Sequence, residues 1–142
     1  MRIIIFSALF IIAAAVLGYC ETPDNIFGQL SSELKSQGVS DQFIKITEGS
    51  VKRMIASGAK TSDLKTVLLD LWSQGVKARA LTNAVAAVAE LVASGDDTLE
   101  AARIASSAAH KAEAEGLGGF AVGMRVKKAV QDRKTYLKSI NK

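Results

Sequence analysis

The strongest constraint on how this chain folds is a spacing of 37 residues between recurring short strings. The sequence SQGV at 36–39 recurs at 73–76, and IASG at 55–58 recurs as VASG at 92–95. Apolar positions of the preceding half-unit keep the same spacing over two steps, from Phe27, Leu30 and Leu34 to Leu64, Val67 and Leu71, and then to Ala101, Ile104 and Ala108. A fixed spacing of this kind indicates tandem units that bury corresponding faces against their neighbours.

Each unit is predicted to be a pair of amphipathic helices, because its apolar residues recur every three to four positions. The predicted helices end at glycines, which adopt the left-handed conformation that closes a helix at little cost. These predicted breaks are Gly38, Gly58, Gly75, Gly95 and the segment 116–119. Short connections of this kind favour antiparallel neighbours.

Polar residues that follow these glycines are predicted to cap the next helix. The candidates are Ser40, then Thr61 or Ser62, and then Asp97. Glu100 lies three residues after Asp97, so the two approximate a capping box.

The third unit departs from the pattern, as terminal repeats commonly do. Its first helix, from Leu99 to about Glu115, is rich in alanine and serine, so we expect it to be central or tightly sandwiched. We therefore predict an all-α fold of five to six short antiparallel helices, with tandem repeats of 37 residues in a compact bundle or short α-solenoid. The aligned apolar pairs are expected to be buried: Ile44 and Leu81, Met54 and Leu91, Ile55 and Val92, Val67 and Ile104.

The segment 1–20 has the layout of a secretory signal peptide, in which Arg2 precedes an apolar run of 15 residues and then small residues. Cleavage is expected before Glu21 or after Gly18. A transmembrane anchor is disfavoured because it needs ~20 apolar residues. A lipoprotein acylated at Cys20 is disfavoured because the bulky Tyr19 precedes the cysteine. We thus predict a signal peptide at 1–20, one all-α domain at 21–142, and a secreted protein that is periplasmic if bacterial.

Catalytic and metal chemistry find little support in the sequence. The chain has one Cys and one His, which excludes a disulfide framework and disfavours a zinc site. His110 has no nucleophile elbow to serve, and the adjacent Asp96 and Asp97 precede a helix, where capping is the better interpretation. Trp72 ends an apolar stripe and is predicted to be core. We expect no enzyme activity, no metal and no cofactor.

The C-terminal segment 124–142 is strongly basic, with seven Lys and Arg against one Asp. The residues proposed for contact with a polyanion or a membrane are Arg125, Lys127, Lys128, Arg133, Lys134 and Lys138. The alternative is a solvated terminal helix whose cations favour the negative end of its dipole.

The function predicted from these features is a secreted, non-enzymatic structural or protein-interaction module with an unknown protein partner. Two alternatives stay open: a cationic membrane- or polyanion-binding protein that acts through the basic helix, and a carrier of small apolar ligands. A core stripe and a cavity lining give the same apolar pattern, so the sequence does not separate the interaction module from the carrier of apolar ligands. Self-association is compatible with each, and no specific nucleic-acid recognition is expected.

Overall fold

The computed structural model describes residues 21–73 and 78–141. These ranges contain six helices: α1 (Pro23–Ser36), α2 (Asp41–Ala56), α3 (Thr61–Ser73), α4 (Ala78–Ala93), α5 (Thr98–Ala114) and α6 (Gly119–Ile140). The described part of the chain has no strand. The all-α fold class predicted from the apolar spacing is therefore confirmed. The predicted signal peptide at 1–20 and the predicted break at Gly75 lie outside the described residues.

Four helices end at a glycine in the left-handed conformation: Gly38, Gly58, Gly95 and Gly116 have φ of 83°, 89°, 90° and 74°. After α1, the amide of Val39 donates to the carbonyl of Leu34 at 3.1 Å, while the amide of Gly38 donates to Lys35 at 3.0 Å. The same two bonds follow α2, α4 and α5. This is the Schellman arrangement, which requires positive φ at the glycine. The predicted breaks at these glycines are confirmed.

Two of the predicted N-caps are confirmed. The hydroxyl of Ser40 accepts from the amide of Phe43 at 3.2 Å, and Asp97 Oδ1 accepts from the amides of Leu99 and Glu100 at 3.0 Å each. The carboxylate of Glu100 pairs with Arg103, at 2.8 Å from its Nε, in place of a return bond to the cap.

The prediction of Thr61 or Ser62 as a cap is wrong, because both residues lie inside α3. The amides of Asp63 and Leu64 donate to the carbonyl of Lys60, at 3.1 and 3.0 Å. The helix thus starts one residue earlier than the hydroxyl groups suggested.

Contacts between helices alternate along the chain. The odd helices α1, α3 and α5 pack in succession, as do the even helices α2, α4 and α6. The two sets meet where α1 packs on α2, where α4 packs on α3 and α5, and where α5 packs on α6. Helix α4 is therefore central, with four helices around it.

The core is aliphatic and continuous through the stack, with Leu30, Leu64, Met54 and Leu91 fully buried. The buried apolar side chains that helix α5 contributes to the core are all alanines: Ala101, Ala105, Ala109 and Ala112. Small residues let helices approach closely, which agrees with the expected sandwiched position of α5. Its neighbours are α3, α4 and α6.

Six of the eight aligned apolar residues are buried, and Ile55 and Ile104 are half-buried at the edge of the core. Within the described ranges, no helix is both long enough and apolar enough to cross a bilayer.

Candidate functional site

The six basic residues proposed for polyanion contact all lie on α6, but they do not form one free cationic patch. Four of them are in ion pairs: Arg125 with Glu115, Lys128 with Asp132, Arg133 with Asp96, and Lys134 with Glu90. Lys127 and Lys138 have no ion pair in the described part of the chain. Most of the positive charge of α6 is therefore balanced within the fold.

The pair between Arg133 and Asp96 is the most buried of these contacts. The side chain of Asp96 is 3% exposed and that of Arg133 is 21% exposed. The hydrogen bond to Asp96 raises the pKa of Arg133 above its ordinary value. The guanidinium also lies 5.2 Å from the ring centroid of Tyr136. Because Asp96 follows the last turn of α4, this pair fastens α6 to the junction between α4 and α5.

Sequence reasoning missed this partner of Asp96, although a signal for it exists. Residues that follow the other helix-ending glycines are apolar and pack in or against the core, such as Val39 and Leu117. Asp96 occupies the corresponding position after Gly95. A carboxylate at a position that is otherwise apolar implies a buried charge partner.

An open groove of about 490 Å³ lies between α4 and α6. Helix α4 lines it with residues that share one face of the helix, including Ala86, Ala87 and Glu90. Helix α6 adds Gly119, Gly123, Val126 and Val130 to the lining. The buried residues of the lining, Ala87, Val126 and Val130, are apolar and form its floor.

Gly123 of α6 lies close to the side chain of Asn83 on α4. A Cβ atom at this position would lie 2.9 Å from Nδ2 of Asn83. Since real Cβ contacts are longer than this, a larger residue requires the Asn83 side chain to move. The glycine therefore leaves room for the Asn83 side chain beside α6.

Two large apolar side chains stand at the rim of the groove, one helical turn apart. Phe120 is 83% exposed and Met124 is 55% exposed. They lie on the face of α6 opposite its core stripe of Val122, Val126 and Val130. Exposed apolar side chains clustered beside a concave surface mark interaction sites in soluble proteins.

The charges of the groove are unequal. Glu90 is neutralised by Lys134, whose Nζ pairs with its Oε1. Lys127 lines the same groove and has no ion pair among the described residues. The groove therefore combines an apolar floor with one unbalanced cation.

The other candidate residues have structural surroundings. Trp72 packs on Phe43, with ring centroids 5.3 Å apart, and lies against the core as predicted. Asp97 is the cap of α5, and His110 is exposed on α5. Across residues 21–73 and 78–141, no group of three or more His, Cys, Asp or Glu side chains is placed to hold a metal ion.

Comparisons of the chain with models of protein families, with curated proteins and with solved structures find no match. The groove and its charges are thus the basis on which we assign a function.

Proposed function

We propose that the chain is a non-enzymatic α-helical module that binds a protein partner in the groove between α4 and α6. The observation that carries this proposal is Phe120, which is 83% exposed at the rim of a groove with an apolar floor. Burying a side chain of this size against a partner contributes roughly 1.5–3 kcal/mol. Aromatic residues of this kind are common anchors of protein interfaces.

The ion pairs of α6 favour a protein partner over an anionic surface. Binding to a polyanion depends on cations that release counterions, and four of the six candidates are already balanced by carboxylates. The shape of the site points the same way, because a concave groove fits a protruding side chain better than it fits a flat bilayer. A carrier needs a site that encloses its ligand, whereas this groove is open to solvent.

We also propose that the six helices are three tandem pairs, α1 with α2, α3 with α4, and α5 with α6. Helices α2 and α4 each have 16 residues, and their first residues, Asp41 and Ala78, are 37 positions apart. Helices α3 and α5 also begin 37 positions apart, at Thr61 and Thr98. The alternating contacts of odd and even helices support this proposal, since stacked helix pairs make contacts of this kind and present extended faces to partners.

We infer that the module is exported after removal of residues 1–20. Thr22 caps α1 by accepting from the amide of Asn25 at 3.3 Å. A cut before Glu21 leaves this cap intact. N-terminal sequencing of secreted protein should start at Glu21 or Tyr19, and an intact Met1 in a membrane fraction would contradict export.

The proposed function is tested by comparing Phe120→Ala with a matched variant, Ile46→Ala. Ile46 is also exposed, at 43%, but lies on α2 outside the groove. Each protein is immobilised and incubated with the secreted material in which the wild-type protein occurs. Wild type and Ile46→Ala should retain the same partner protein, and Phe120→Ala should not retain it. Equal retention by all three proteins would overturn the proposal. Salt-sensitive binding to phosphatidylserine vesicles without a protein partner would support the cationic alternative.

A further inference from the structure

The groove between α4 and α6 has the length of a short helix. At 1.5 Å per residue its α6 lining, from Gly119 to Val130, spans roughly 16 Å, and its α4 lining, from Asn83 to Glu90, spans roughly 10 Å, or two to three helical turns. Two facing helices with a buried apolar floor leave a channel for the apolar side chains of a third helix. Helices that bind in such grooves place anchors at positions i, i+3 or i+4, and i+7.

The unbalanced charge at the rim sets a condition on what binds there. Lys127 has no ion pair among the described residues, and a partner seated on Phe120 and Met124 would remove water from its surroundings. A cation that loses water without gaining a counter-charge is costly. The other charge of the groove, Glu90, is already paired with Lys134. The compensating carboxylate must therefore come from the partner.

We propose that the groove binds an amphipathic helix of the partner, with apolar anchors against Phe120 and Met124 and a Glu or Asp that pairs with Lys127. This proposal rests on the proposed function and specifies the partner's chemistry. An acidic peptide without apolar anchors lacks the larger part of the contact, and an apolar helix without a carboxylate leaves Lys127 uncompensated.

The experiment uses a displayed library of amphipathic helical peptides selected on the full chain. Anchor positions are apolar, and the flanking positions vary among Glu, Gln and Lys. Selected peptides should carry Glu at a fixed distance from the anchors and should bind Phe120→Ala at least about ten-fold more weakly. Lys127→Glu should weaken the Glu peptides by about ten-fold and favour Lys at the same position.

The matched control for the charge is Lys45→Glu, because Lys45 is an exposed lysine of α2 without an ion pair in the described ranges. It should leave peptide selection unchanged. Peptides that require Phe120 but show no charge preference would overturn the acidic-helix proposal and leave the proposed function standing. Failure to select any peptide would overturn the helix proposal alone, and selection that ignores both Phe120 and Lys127 would overturn both.

Discussion

Arg133 on α6 holds Asp96 through two parallel hydrogen bonds, 2.8 Å from Nε to Oδ2 and 2.7 Å from Nη2 to Oδ1. The same carboxylate accepts from the amide of Asp97 at 3.0 Å through Oδ1. With three donors and little exposure to water, the Asp96 carboxylate takes its hydrogen bonds from protein groups. The terminal helix is thus attached by a charge as well as by its valine stripe.

Replacing Arg133 by Ala should destabilise the fold, since it leaves the buried Asp96 without its counter-charge. Breaking a buried pair costs about 3–5 kcal/mol, and because Arg133 is 21% exposed we expect ~2–4 kcal/mol. Lys128→Ala is the control, because its pair with Asp132 is exposed and should contribute less than ~0.5 kcal/mol. Urea unfolding measures both, and equal stability of the two variants would contradict a fastening role.

The stability contributed by Glu100 should depend on pH. The hydrogen bond from Arg103 lowers the pKa of Glu100 below its ordinary value of 4.5. The contribution is therefore present above that value and is lost as pH falls through the lowered pKa of the folded state. Glu100→Gln should be less stable than wild type at neutral pH and equally stable near about pH 2.

The control for this titration is Glu113→Gln, which removes no ion pair seen in the described ranges. At neutral pH this variant should differ less from wild type in stability than Glu100→Gln does. A deficit of Glu100→Gln that persists unchanged into acid would show that the carboxylate charge is not its cause.

Glycine-to-alanine changes should have opposite signs at two positions. Gly95 has φ of 90°, so Ala there should cost about 1–2 kcal/mol of backbone strain. Gly28 lies within α1 with nothing within 4 Å of an added Cβ, so Ala should stabilise by roughly 0.5–1 kcal/mol. Thermal unfolding measures both, and a change of the same sign at the two positions would contradict these backbone assignments.

Met54 and Leu91, aligned by the repeat spacing, are both completely buried. Truncating either to Ala should cost ~2–5 kcal/mol. Ile55 is only half-buried, so Ile55→Ala should cost less than either. Chemical denaturation checks this order, and a larger loss at Ile55 would mean that the edge of the core is more tightly packed than its exposure implies.

Phe120→Ala should leave the free energy of unfolding within about 0.5 kcal/mol of wild type, because the side chain is 83% exposed. A loss of partner binding in this variant would then reflect the groove and not the fold. A large drop in melting temperature would instead place Phe120 in the core and remove it as a binding residue.

The helix ends were predictable from sequence because they depend on local backbone physics. Gly38, Gly58 and Gly95 each close a helix by adopting a conformation that other residues avoid. The cap at Ser40 is equally local. The cap predicted at Thr61 or Ser62 was wrong because the first turn of α3 closes on the carbonyl of Lys60. This backbone contact has no side-chain signature in the sequence.

The groove and the ion pairs were not predictable in the same way, since they depend on which helix lies beside which. Charge counting identified the cations of α6 but not that Asp96 and Glu90 lie against two of them. Phe120 and Met124 form an apolar pair outside the stripe of Val122, Val126 and Val130, and this second stripe was the available signal. Periodicity alone does not tell which of two stripes another helix covers.

The central position of α4 has a consequence for motion. Helices α1 and α6 have neighbours on fewer sides than α4, so local opening should start at the two ends of the stack and reach α4 last. Amide hydrogen exchange should accordingly be slowest in α4. A partner that binds between α4 and α6 would hold one end of the stack against the slowest-exchanging helix. Its signature would be slowed exchange along α6, with the rates of α1 and α2 unchanged.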